Sequence, residues 1–100
     1  MPVQLPLGRD VLADFCRGHN IRRLSIFGSV LKGTAKHDSD IDLLVEFEAD
    51  AVPSLFDLAD IEQELSGLLG RRVDVRTAGD LSRYFRDEVI REAEVQYESA

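Results

Sequence analysis

The sequence predicts an α/β (or α+β) domain, a small sheet flanked by helices. Three observations predict it. Short segments with two-residue alternation recur at 22–27, 41–47 and 72–77. Segments with helical periodicity stand between and around them at 9–18, 54–69 and 80–93. The resulting order, α-β-(turn)-β-α-β-α, is that of helices packed on a sheet rather than a bundle or a sandwich.

Residues 9–18 place Val11, Leu12, Phe15 and Cys16 on one helical face, with Gly18 and Asn20 as stop signals. "RRLSIF", 22–27, alternates Leu24 and Ile26 against Arg23 and Ser25 and reads as a strand ending at Gly28. Residues 29–32 suit a short helical turn and 34–39 a polar loop. "IDLLVEF", 41–47, is a second strand. Ile41, Leu43, Val45 and Phe47 face one way; Asp40, Asp42, Leu44 and Glu46 face the other. Residues 54–69 give the clearest helix. Ser54 is its N-cap, Asp57 takes the capping-box position and Gly70 the C-terminal cap. Its apolar stripe is Leu55, Leu58, Ile61, Leu65, Leu68 and Leu69. "RVDVRT", 72–77, is a third strand, and 80–93 carries Leu81, Tyr84, Phe85, Val89 and Ile90 at helical spacing. The tail "VQYES" fits a short strand or a frayed end. The link 27–41 can join neighbouring strands in either direction, whereas the 54–69 helix is long enough for a crossover to a parallel neighbour.

The chain has 100 residues, the size of one domain. Its net charge is -7, from 19 acidic and 12 basic residues. That argues against non-specific nucleic-acid binding. It suits a basic protein partner or recruitment of metal cations, or simply a soluble surface. One cysteine, Cys16, allows no intramolecular disulfide and fits a reducing compartment; its apolar neighbours mark it as core filling. No apolar run reaches the ~18 residues of a membrane helix, and no signal peptide is visible, so a cytoplasmic protein is expected. His19 and His37 are each read as surface or capping residues.

The informative stretch is 27–46, "FGSVLKGTAKHDSDIDLLVE". Gly28 and Gly33 have P-loop separation, but Thr34 and Ala35 follow Gly33, so the phosphate-reaching lysine is missing; Lys32 precedes the glycine. Asp38, Asp40 and Asp42 begin an EF-hand pattern, but Leu43 replaces the turn glycine and Ala49 the bidentate glutamate. The third reading is a two-metal site for nucleotidyl transfer. Asp40 and Asp42 lie two apart on a strand, on one face, with Cα atoms roughly 6.6 Å apart. Carboxylates so placed can share hard cations, and paired metals can stabilise both oxygens of an in-line displacement. Asp74 supplies a third carboxylate if its strand pairs with the second. Gly28 and Ser29 offer backbone N–H groups and a hydroxyl to phosphate oxygens. Alternation alone favours a solvated strand face. The conjunction of Gly-Ser, the spacing to Asp-Ile-Asp and the later strand aspartate favours the metal site.

These residues resemble the signature of the DNA polymerase β-like nucleotidyltransferase superfamily: Gly-Ser, ten residues, then D-x-D on a strand. The length is similar to its minimal-nucleotidyltransferase branch, the antitoxins of HEPN/MNT toxin–antitoxin pairs. The resemblance is dense over 22–77 and looser to the end. It implies a small mixed sheet flanked by helices in one domain over 1–100. It implies that Gly28 and Ser29 hold nucleotide phosphates, with Lys32 standing near a position often occupied by arginine. It implies that Asp40 and Asp42 bind two Mg²⁺ ions, and that Asp74 completes one site and helps deprotonate the incoming hydroxyl. It implies transfer of AMP from ATP to a tyrosine of a cognate HEPN ribonuclease toxin, with part of the substrate site contributed by that partner and no nucleic acid or membrane involved. A binding-only antitoxin and transfer to a small molecule are the alternatives.

Overall fold

The computed structural model describes residues 7–28, 40–84 and 86–99. Its elements are α1 (Arg9–Gly18), β1 (Ile21–Phe27), β2 (Ile41–Phe47), α2 (Leu55–Leu69), β3 (Val73–Arg76), a 3-10 turn (Ala78–Asp80), α3 (Arg86–Glu92) and β4 (Glu94–Glu98). Four strands form one mixed sheet in the order β3-β2-β1-β4. β1 is antiparallel to β2 and to β4, and β2 is parallel to β3. The 28–40 link therefore closes an antiparallel pair, and α2 makes the crossover that a parallel pair needs.

One sheet face carries the core. Leu24, Ile26, Ile41, Leu43, Val45, Val73 and Val75 pack there with Leu12 and Cys16 of α1 and Ile61 and Leu65 of α2. The α2 stripe departs from expectation at Leu55 and Leu68, which are exposed, while Leu58 and Leu69 pack against the core. The start of α2 is fixed locally by a capping box. The Asp57 N–H donates to Ser54 Oγ at 3.2 Å, and the Ser54 N–H donates to Asp57 Oδ2 at 2.8 Å. Gly70 closes the helix in the left-handed conformation, φ +67°.

α2 also serves the edge strand. The Val73 N–H donates to Ser66 Oγ at 3.1 Å, and the Val75 N–H donates to Glu62 Oε2 at 3.3 Å. His19 caps α1, and its Nε2 pairs with Glu64 Oε2.

The expected helix over 80–93 is corrected. The segment splits into the Ala78–Asp80 turn, an irregular stretch, and seven residues of α3 with no buried residue. A second capping box, in which the Thr77 N–H donates to Asp80 Oδ2 at 3.1 Å, starts the turn, and the extended backbone of Leu81 (φ −86°, ψ 144°) ends it. The tail resolves as a strand, β4, joined to β1.

Candidate active site

β1 and β2 bring Phe27 opposite Asp42, and β2 and β3 bring Asp42 opposite Asp74. Asp42 and Asp74, 32 positions apart, thus stand side by side on the sheet face away from the helices. Leu44, expected on a polar face, is buried there at 3% exposure with Ser25, its register partner. The 3-10 turn lies against β2. This face is therefore not a simple solvated surface, as alternation by itself suggested.

Asp40 is exposed and precedes β2 by one residue. The start of that strand is tied to the next one by the Ile41 N–H donating to Arg72 O at 3.0 Å. Asp40 and Asp74 line one cleft of about 430 Å³ with Glu62, Gln63, Ser66 and Arg72.

Gly28 adopts φ +80°, a conformation that L side chains rarely hold. A Cβ built on it meets Asp42 Oδ2 at 2.2 Å, Cγ at 3.0 Å and Cβ at 3.2 Å. The glycine is thus a space requirement of the Asp42 carboxylate as well as a turn. This role was not legible in sequence, because it depends on the β1–β2 register.

Asp74 turns toward Arg76, whose Nε and Nη2 donate to Oδ2 at 3.3 and 3.2 Å. Arg76 was not singled out by sequence reasoning; its position two residues past a strand aspartate, on the same face, was the available signal. Among the described residues, no three carboxylate, imidazole or thiol groups are gathered tightly enough to hold a cation. The donor chemistry nevertheless fits a hard divalent ion. Two neighbouring carboxylates, one of them in a glycine-walled space, are oxygen ligands of the kind that Mg²⁺ takes alongside substrate phosphates. Ser29 and Lys32 lie outside the described residues, as do Asp38 and His37.

The fold thus pairs two of the three aspartates on which the nucleotidyl-transfer reading rests, with Gly28 against one of them. The chain belongs to the nucleotidyltransferase domain family, which matches residues 9–97. Within it, the similarity is to minimal nucleotidyltransferases. The chain is 42% identical over 72 residues to the protein adenylyltransferase MntA of Thermococcus cleftensis, spanning 72% of this chain and 71% of that one. A solved structure assigned as a minimal nucleotidyltransferase superposes with a TM-score of 0.70 at 42% identity, over 85% of each chain. A complex of a tri-AMPylated Shewanella oneidensis HEPN toxin with an MNT antitoxin shares the fold, with a TM-score of 0.63 at 18% identity over 91% of this chain and 70% of that one.

Proposed function

We propose that this chain is a Mg²⁺-dependent protein adenylyltransferase that transfers AMP from ATP to a tyrosine hydroxyl of a cognate HEPN-type toxin and thereby neutralises it. The observation that carries the reading is the pairing of Asp42 with Asp74 across β2 and β3, with Gly28 closed onto Asp42. Similarity to the Thermococcus MntA supports the activity, and the fold shared with the MNT antitoxin supports the partner.

Asp40, Asp42 and Asp74 hold the cations in this reading, and Gly28, Ser29 and Lys32 face the phosphates. Bound Mg²⁺ supplies charge neutralisation at the phosphates and at the attacking oxygen. The hydroxyl oxygen forms a bond to the α-phosphorus as the bond to pyrophosphate breaks, and Asp74 helps take the hydroxyl proton. Gly28 leaves room for Asp42 to keep its carboxylate aimed along the sheet face. In this reading the partner presents its own hydroxyl and contributes part of the substrate site.

The test is to mix the chain with the toxin, ATP and Mg²⁺ and weigh the toxin by mass spectrometry. The expected result is an added AMP that is lost with Asp42→Asn and with Asp74→Asn. A toxin that stays unmodified while its ribonuclease activity is still suppressed overturns the reading in favour of masking by binding.

A further inference from the structure

The charge of the chain is not spread evenly. Residues 48–70 hold six carboxylates, Glu48, Asp50, Asp57, Asp60, Glu62 and Glu64, and no Lys, Arg or His. The remainder has 13 carboxylates against 12 basic groups, so nearly all of the net -7 resides in this one segment. The same segment holds the most exposed apolar side chains among the described residues apart from Tyr84. Val52 is 92% exposed, Leu55 83% and Phe56 82%. With the exposed Pro53 they lie within residues 52–56, interrupted only by Ser54, in the β2–α2 connection and the first turn of α2. Scattered surface leucines need no explanation, but a contiguous apolar patch with a single-sign rim does.

A cavity of about 330 Å³ opens beside this patch, lined by His19, Phe47, Asp50, Val52, Pro53 and Asp57 among others. Its exposed lining is mostly polar, with the Asp50 and Asp57 carboxylates beside Phe47 and Val52, which suits a long basic side chain whose stem is apolar. It also lies at the end of the sheet away from the site. The β1–β2 register puts Phe47 at the opposite end from Asp42. The 15 residues of α2 run roughly 22 Å back toward β3.

We propose that Val52, Leu55 and Phe56, with the acidic rim of Asp50 and Asp60, form the docking surface for a basic, apolar-anchored face of the protein substrate. The proposal rests on the reading above that the substrate is a partner protein. The apolar residues supply the anchors, and the carboxylates select a partner bearing Lys or Arg around its own apolar residues. A second copy of this chain is the wrong occupant, since two such rims repel. None of the five docking residues lines the Asp40/Asp74 cleft, so affinity and transfer are separable in one protein.

The experiment uses the full chain and the HEPN-type toxin, with calorimetric affinity at low and high salt, AMP addition by mass spectrometry, and melting of each variant. Leu55→Ser with Phe56→Ser is expected to weaken the complex about thirtyfold or more, the loss of one hot spot. Asp50→Lys with Asp60→Lys is expected to weaken it at low salt and flatten its salt dependence. Both pairs lie on exposed positions and are expected to melt with the parent. Parental affinity in either pair overturns the proposal. So does a parent complex that does not weaken as salt rises, or a parent dimer in sedimentation that the Leu55/Phe56 pair converts to monomer. A tight, salt-sensitive complex that the variants weaken but that never gains AMP leaves the docking surface standing and overturns the enzymatic reading instead.

Discussion

Gly28→Ala tests whether the glycine acts on Asp42 or only on the turn. The alanine must hold φ near +80°, which costs about 1–2 kcal/mol of stability for an L residue. Its methyl also starts 2.2 Å from Asp42 Oδ2, whereas ordinary contact begins at 3.4 Å, so the carboxylate oxygen must move by about 1.2 Å. Rotation of the carboxyl group is not enough, because Asp42 Cβ is itself at 3.2 Å. A displacement near 1 Å in a positioned catalytic group costs about 10²-fold in rate. Gly70→Ala is the matched control. Gly70 has φ +67°, and nothing lies within 4 Å of its Cβ position, so it carries the backbone cost without the collision. Denaturant melts are therefore expected to show a loss of about 1–2 kcal/mol for Gly70→Ala and a larger one for Gly28→Ala, which adds the collision to the same backbone cost. AMP transfer, read by mass spectrometry on the toxin, is expected to fall about 10²-fold for Gly28→Ala and to stay near parental for Gly70→Ala. A Gly28→Ala protein within about threefold of the parental rate refutes the reasoning, as does an equal loss in both variants.

Cys16 is fully buried, and burial pushes its thiol from 9.0 up to about 12. Between those values the unfolded chain has released the proton and the folded chain keeps it. Stability from this group is thus complete below pH 9 and declines as pH rises, by at most about 1.4 kcal/mol per pH unit. Denaturant titrations of the parent and Cys16→Ala between pH 8 and pH 11 check the slope, and thiol reagents at pH 8 are expected to react only with unfolded chain. Ser54→Ala removes the oxygen that the Asp57 N–H reaches, and the expected cost is about 1 kcal/mol, a melting shift of roughly 4–8 °C. Ile61→Ala in the core is expected to cost about 2–5 kcal/mol, while Leu55→Ala on the same helix stays within about 0.5 kcal/mol; similar losses in chemical denaturation contradict the burial assigned to Leu55.

The elements that sequence located best are those whose signals are local and redundant. The Ser54/Asp57 box and Gly70 bracket α2 to within a residue, and β2 runs over Ile41–Phe47 as its alternation indicates. Helical spacing at 80–93 misled because periodicity reports a face without saying whether anything covers it. The extended backbone of Leu81 ends the first turn early, and α3 holds no fully buried residue. The same gap explains Leu55 and Leu68, which fit the stripe but are exposed, while their neighbours Leu58 and Leu69 pack on the core. For the site, the strand aspartates are legible from alternation, but their adjacency requires the parallel β2–β3 pairing. Arg76 on Asp74 and Gly28 against Asp42 depend on register and turn geometry, which no local pattern encodes.

The hydrogen bonds from α2 to the edge strand set how this sheet can grow. β3 has two outward donors, the Val73 and Val75 N–H groups, and both are already taken by Ser66 and Glu62. An incoming strand finds nothing there to accept from. The aspartate-bearing side of the sheet is thereby protected from strand addition and edge-to-edge aggregation. The opposite edge, β4, lies the full width of the sheet away from Asp74.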